Sequence, residues 1–243
     1  MIEPLSSFSD FKRAAADSTL SNNECSGFSD NDRREMEKCI IQDLVAKLKT
    51  LHKENSAVLD IGAGCTLLPI LLDEYCHDHA QDLTFIDSIE VLARLKSKYA
   101  KLLPGQFPQC YESAGLRKKF NCIIVYSVLQ YVYRHQNLFS FLDSCLDLLL
   151  PEGELLIGDI PNVSMKTRFF SSHLFPGYHK KFYPEKTLPS PIIWDVENGE
   201  IDDSVVFSIL QRSRQRGFHS WILPQPNTLP FYNRREDILI RKP

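Results

Sequence analysis

The sequence predicts an α/β domain built on a doubly wound parallel sheet, and three observations carry that expectation. Strand-like apolar runs alternate with helical segments from residue 57 to residue 160, an order that right-handed crossovers turn into a parallel sheet. Residues 120–127, Phe-Asn-Cys-Ile-Ile-Val-Tyr-Ser, form an apolar, β-branched run of the kind buried on both faces of such a sheet. Between a short apolar run at 57–59 and a helical pattern resuming at Leu67 lie Gly62 and Gly64. These let the backbone turn sharply and meet a ligand with no Cβ in the way. A chain of 243 residues suits one such domain with an insertion.

Each element has its own justification in the sequence. Residues 1–30 are rich in Ser, Asn, Asp and Gly, with isolated aromatics at Phe8, Phe11 and Phe28. They read as an arm whose segment 21–28 packs over a site, or as a mobile terminus. From Asp30, cap residues lead into an amphipathic helix with apolar positions at Met36, Ile40, Leu44 and Leu48. After the glycine turn, residues 82–88 form a second apolar strand ending in the acid Asp87, and a helix is expected over 89–102. The strand at 120–127 precedes a helix over 136–150 that stops at Pro151-Glu152-Gly153, and 154–160 is the next strand. Residues 161–200 carry Pro161, Pro176, Pro184, Pro189 and Pro191 with little periodicity, the composition of an irregular lid or binding loop. A helix over 202–216, ended by Gly217, and strands at 218–223 and 236–241 complete the chain. The expected organisation is one domain over 1–243: arm and helix to residue 50, a core over 51–160, the insert over 161–200 and a closing helix and strands over 201–243.

Composition narrows the classes of function. Lys plus Arg number 28 against 31 Asp plus Glu, a net charge of -3, so nothing in the overall balance attracts nucleic acid. The seven cysteines are scattered, with no C-x-x-C pair. This predicts a reducing cytoplasm, without a disulfide framework or zinc site. His77 and His79 among Asp73, Glu74 and Asp78 sit at the exposed end of a helix and are not expected to bind metal. No stretch reads as a signal peptide or a membrane span.

The chemistry lies in the glycine turn. A dinucleotide fingerprint G-x-G-x-x-G starting at Gly62 requires a third glycine at position 67, which is Leu67, so a nicotinamide or flavin site is not expected. What remains is Asp60-x-Gly62-x-Gly64 after a strand, an acid at the next strand's end in Asp87, the run Phe120 to Val132, and Leu149-Leu150-Pro151-Glu152-Gly153-Glu154-Leu155. On these motifs the chain resembles the class I, Rossmann-like S-adenosylmethionine-dependent methyltransferases. Thr66 stands at the family's third glycine position, Asn121 at its usual Asp and Gln130 at its first His.

The resemblance implies a mostly parallel seven-stranded sheet with helices on both faces and an antiparallel last strand. It also implies S-adenosyl-L-methionine as cofactor, held by Asp60, Gly62, Ala63, Gly64, Asp87, Ser88, Tyr126 and Ser127. Asp87 would accept from both ribose hydroxyls. Read alone, the two glycines also fit a plain tight turn, and Asp87 or Ser88 an ordinary helix cap.

Methyl transfer from a sulfonium is an in-line displacement, so the protein mainly aligns the acceptor and excludes water. A hydroxyl or amine acceptor can also use a base. Asp159, at the end of its strand, is the first candidate for base or substrate ligand; capping the following turn is its plain alternative. His173 and His179 lie in the insert with Arg168, Tyr178, Tyr183 and Trp194, as proton acceptors or as ordinary surface histidines. Lys180, Lys181, Lys186 and Arg168 make the insert basic, suited to an acidic acceptor or simply to solvent. Residues 229–240 resemble the endings of methyltransferases of sugar-modification clusters, which points to a small acceptor such as a sugar or nucleotide-linked sugar. A methyltransferase of protein or RNA, and a silent Rossmann-like binding protein, are the alternatives.

Overall fold

The structure, a computed structural model, describes residues 5–27, 33–113, 119–182, 187 and 199–243. Phe28, the cap residues from Asp30, Tyr183, Pro184, Lys186, Pro189, Pro191 and Trp194 lie outside the described residues. Seven strands form one sheet: β1 (Ala57–Ile61), β2 (Asp82–Asp87), β3 (Lys101–Pro104), β4 (Phe120–Tyr126), β5 (Leu149–Pro161), β6 (His219–Pro224) and β7 (Arg235–Arg241), in the order β3-β2-β1-β4-β5-β7-β6. All neighbours pair in parallel except β7, which runs antiparallel to both β5 and β6. The expected doubly wound, mostly parallel sheet with an antiparallel last strand is present. The strand order reverses between β1 and β4, and in open α/β sheets that crevice at the carboxyl ends is where ligands bind.

Period-two alternation along the central strands divides the core into two layers. Ile123 and Val125 of β4 face one side, with α6 (Gln109–Ser113), α7 (Leu129–His135), α8 (Leu138–Asp147) and α11 (Asp203–Gln215). Cys122 and Ile124 face the other, with α3 (Arg33–Lys47), α4 (Leu67–Asp78) and α5 (Ile89–Arg94). Cys122, Ile123 and Val125 are fully buried, as a strand covered on both faces requires. None of the helices among the described residues is long and apolar enough to cross a membrane.

Several boundaries differ from the sequence expectation. The helix expected over 89–102 ends at Arg94, and residues 101–104 form β3, the edge strand. The cause is Asp73 on α4, 2% exposed. Its carboxylate accepts from the backbone N–H groups of Lys98 (2.7 Å), Tyr99 (3.2 Å) and Ala100 (2.8 Å) and from Ser97 Oγ (3.0 Å). A side chain 24 or more residues away thus supplies acceptors that a continued helix would have found in its own carbonyls. Asp73→Ala leaves those donors without their acceptor and is expected to lower the unfolding free energy by about 1–3 kcal/mol, read from the urea midpoint. An unchanged midpoint would show that the loop does not depend on it.

The helix expected over 136–150 is the shorter α8, opened by Asn137, which accepts from Ser140 N at 2.9 Å, and the separate helix α7 precedes it over residues not expected to be helical. The strand expected at 154–160 begins earlier, at Leu149, and passes through Pro151-Glu152-Gly153 with Glu152 at φ 61. Helix α6 was not expected. In the insert, the irregular loop gives way to α9 (Val163–Phe170) and α10 (Phe175–Phe182). Asn162 caps α9 through Met165 N at 3.1 Å. Pro176 falls in the first turn of α10, where its missing N–H has no intrahelical partner to lose. The arm carries α1 (Phe8–Ala16) and the single turn α2 (Asn22–Cys25), each opened by a capping box, Ser7 with Asp10 and Ser21 with Glu24.

Candidate active site

The turn after β1 is fixed by its surroundings. Gly62 and Gly64 have φ of 77 and 69, the left-handed region that glycine enters without penalty. A Cβ on Gly62 would also stand 2.6 Å from Val128 Cγ2. Gly62 N donates to Ile86 O at 2.8 Å and Gly64 N to Asp87 Oδ2 at 3.0 Å, which pins the loop against the end of β2. At the third glycine position Thr66 is the N-cap residue of α4 but makes no capping hydrogen bond. Glu37 of α3, 1% exposed, does so instead, accepting from Leu67 N at 3.0 Å, a carboxylate where the helix dipole favours one.

Two carboxylates are buried here. Asp87 accepts from Gly64 N and, at 2.7 Å, from Ser88 N, yet burial outweighs these bonds and pushes its carboxyl up to about 6. Capping of α5 falls to Ser88, whose hydroxyl accepts from Val91 N at 3.2 Å, so the remaining lone pairs of Asp87 are left for a ligand. Asp60 is 7% exposed, and no donor among the described residues reaches its carboxylate. Burial, then the nearby charge of Asp87, pushes it up to about 7.

These elements wall a cavity of about 300 Å³. Gly62, Ala63, Gly64 and Asp87 form one side and Tyr126, Ser127 and Val128 another. Asp60 and Ser88 stand behind this wall, not in it. The Tyr126 ring packs against Gly158, where a Cβ would collide with it, and burial pushes the Tyr126 hydroxyl well above its ordinary range. The third side comes from the arm, through Phe8, Phe11, Cys25, Ser26 and Gly27. Arg94 on α5 holds the arm in place, donating to the carbonyls of Ala15 (2.6 Å), Leu20 (2.8 Å) and Asp17. Asn22 Nδ2 donates to Cys65 O at 2.8 Å, and Phe11 meets Tyr131 edge to face at 4.9 Å.

The candidate proton-handling residues are dispersed. Asp159 sits at φ 59 in an irregularity of β5 where its N–H leaves the ladder and donates to Asp237 Oδ1 at 2.8 Å. Its carboxylate is ion-paired with Arg235 and accepts from Ser127 Oγ and from Gln225 Nε2 (3.4 Å). Ser127 and Arg235 reach the cavity wall, but Asp159 is not part of it. His173 is exposed between α9 and α10. His179 is buried in an aromatic cluster, 5.7 Å from Phe175, with Phe169, Phe170 and Tyr178 adjoining. Neither histidine lines the cavity. Arg168 is engaged by Asp203 at 2.6 Å, while Lys180 and Lys181 are exposed. His77 and His79 stack on Tyr99 and Tyr75.

The cavity does contain a histidine that sequence reasoning passed over. His135 ends α7 beside Gln130, Tyr131 and Gln136. The only signal for it was its place in the helix following the fourth strand.

A sheet in the order 3-2-1-4-5-7-6 with an antiparallel seventh strand, and a glycine loop facing an acid at the end of the second strand, define the class I methyltransferase fold, and this chain has it. It superimposes on the plantazolicin methyltransferase BamL, solved with a desmethyl-plantazolicin analogue and S-adenosylhomocysteine, with a TM-score of 0.60, 14% identity and coverage of 97% of this chain and 96% of that one. The N-methyltransferase NodS from Bradyrhizobium japonicum, also with S-adenosylhomocysteine, gives 0.53, 14%, 98% and 100%. Phosphoethanolamine N-methyltransferase 1 of Haemonchus contortus gives 0.59, 14%, 96% and 48%. No family model and no curated protein matches the sequence.

Proposed function

We propose that the protein is an S-adenosyl-L-methionine-dependent methyltransferase acting on a small-molecule acceptor. The observation that carries this reading is Asp87, a buried carboxylate fixed by Gly64 N and Ser88 N, with free lone pairs facing a cavity whose other wall is the Gly62–Gly64 turn. Such a carboxylate accepts from two vicinal hydroxyls, and the glycine turn admits backbone contact with the rest of a nucleoside-linked amino acid. That the solved structures of similar fold contain S-adenosylhomocysteine supports the same cofactor here.

When bound, the cofactor supplies a methyl group already activated as a sulfonium. The work left to this chain is to hold the acceptor in line, exclude water and take up a proton. The arm, with Phe8 and Phe11, closes the cavity on the solvent side. Asp159 positions Ser127 and Arg235 at the wall. His135 is the residue proposed to accept the acceptor's proton. The acceptor is read as a hydroxyl or amine of a sugar or nucleotide-linked sugar, and the glutamines and histidine of the wall suit such a polar molecule.

Calorimetric titration of the folded protein with S-adenosylhomocysteine tests the cofactor, and an absence of binding would sink the reading. A methyl-transfer assay against a panel of small acceptors separates an enzyme from a silent binding protein. With an acceptor in hand, His135→Ala is expected to lower kcat about tenfold, less than the roughly 10²–10⁴-fold of full general-acid–base catalysis because the donor is already activated. S-adenosylhomocysteine affinity should not move. An unchanged kcat would remove His135 from the reaction.

A further inference from the structure

A second cavity of about 210 Å³ opens between the end of α7, the start of α9 and the start of β7. It shares Gln130 and Arg235 with the first cavity, so the two adjoin. We infer that this second cavity binds a phosphoryl group carried by the methyl acceptor. The inference depends on the methyltransferase reading for the orientation of the acceptor, but not for the anion site itself.

Among the described residues four cations line it, Arg134, Lys166, Arg234 and Arg235, against one acid, Glu200. Arg235 is compensated by Asp159. Among the described residues no carboxylate is ion-paired with the other three. They are held by neutral groups instead. The Arg234 guanidinium lies 4.5 Å from the centroid of Phe231, Lys166 Nζ lies 5.9 Å from that of Phe170, and Arg134 Nε donates to Gly199 O at 2.9 Å. Ring faces and a carbonyl orient cations without neutralising them.

Among the described residues, three cations without an ion-paired carboxylate face one lining acid, with Glu236 behind Asn162 at 2.6 Å, which leaves a positive surplus around a partly enclosed space, and the mutual repulsion of the cations is relieved by an anion between them. A phosphate monoester carries about −1.5 to −2 at neutral pH, which offsets that surplus. Arginine forks and a lysine are also the donors suited to phosphoryl oxygens.

Gln130 sits at the seam of the two cavities. Its Nε2 donates to Ser127 O at 2.8 Å, while its Oε1 is buried with no hydrogen-bond partner. An unmet buried acceptor is unfavourable until a donor arrives, and a hydroxyl or ammonium of the acceptor is such a donor. The acceptor then lies with its phosphoryl group against Lys166 and Arg234 and its nucleophile across Gln130, on the side of His135.

The test is calorimetric titration of the whole protein with glycerol 3-phosphate, glycerol and inorganic phosphate at low salt, with and without S-adenosylhomocysteine. The expected result is binding of both phosphates and none of glycerol. Lys166→Gln and Arg234→Gln should each weaken glycerol 3-phosphate about tenfold, the loss of one charged hydrogen bond, and Lys166→Arg should retain it. S-adenosylhomocysteine affinity should stay within about twofold throughout, since losing one charged hydrogen bond at the other cavity would exceed that; this readout also certifies folding. Absence of phosphate binding by a protein that binds S-adenosylhomocysteine, or binding indifferent to both substitutions, overturns the inference. Phosphate binding that is lost in the variants of a protein unable to bind S-adenosylhomocysteine upholds the anion site and overturns the methyltransferase reading alone.

Discussion

Asp87→Ala is expected to weaken binding of S-adenosylmethionine and S-adenosylhomocysteine by roughly 1.5–3 kcal/mol, the range for a charged hydrogen bond lost from a buried site. The fold should survive, because capping of α5 belongs to Ser88 and the Gly62–Ile86 bond still holds the loop. The same residue predicts opposite pH dependences for stability and for binding. Asp87 and Asp60 have carboxyls pushed up to about 6 and about 7, against 3.8 for an exposed aspartate. Between those values the folded protein holds protons that the unfolded chain has released. Their contribution to stability is therefore fully present below about pH 4 and is lost as pH rises through 6 to 7. The ligand asks for the reverse, since an ionised Asp87 accepts from two hydroxyls and a protonated one does so less well. Affinity should fall as pH drops below about 6, and Asp87→Asn, which carries no titrating charge, should flatten that profile. Wild-type affinity independent of pH from 5 to 8, together with an unaffected Asp87→Ala, would take Asp87 out of the site.

The central strands were legible because each is a continuous apolar run that needs no partner to be recognised. Residues 82–87 and 120–126 fell close to their expected ends. Strand β3 was not legible. Lys101–Pro104 has no fully buried residue, and it leaves the helix only because Asp73 on α4 captures the backbone before it. No local pattern encodes a distant acceptor. The same holds for Glu37, which caps α4 from α3 in place of Thr66. One wall of the first cavity, the turn from Gly62 to Gly64 with Asp87, was legible as far as glycine and aspartate declare themselves by spacing. The opposite lining of the two cavities was not, since Gln130, His135, Lys166 and Arg234 come from α7, α9 and the turn before β7. Only the crossover of the sheet brings them together.

The largest effect on stability is expected at Lys47, the last residue of α3. Its Nζ lies 2.6 Å from both Asp43 Oδ2 and Asp237 Oδ2, with side-chain exposures of 11%, 7% and 0% for Lys47, Asp43 and Asp237. Asp237 Oδ1 in turn accepts from Asp159 N (2.8 Å) and Gln225 Nε2 (3.1 Å), so the pair ties α3 to the irregularity that aims Asp159 at Arg235 and Ser127. Removing one member of a buried ion pair leaves the other charge desolvated and unmet. Lys47→Met is therefore expected to cost about 3–5 kcal/mol of unfolding free energy, read as a fall in the urea midpoint. The loss comes mainly from the stranded Asp237 and not from a large attraction forgone. The double substitution Lys47→Met, Asp237→Asn should thus recover part of it, because an amide keeps an oxygen for Asp159 N while carrying no charge. A double variant less stable than Lys47→Met alone would mean that the carboxylate is worth more to Asp159 and Gln225 than its isolation costs. A Lys47→Met protein as stable as the wild type would mean that water, not lysine, satisfies Asp237.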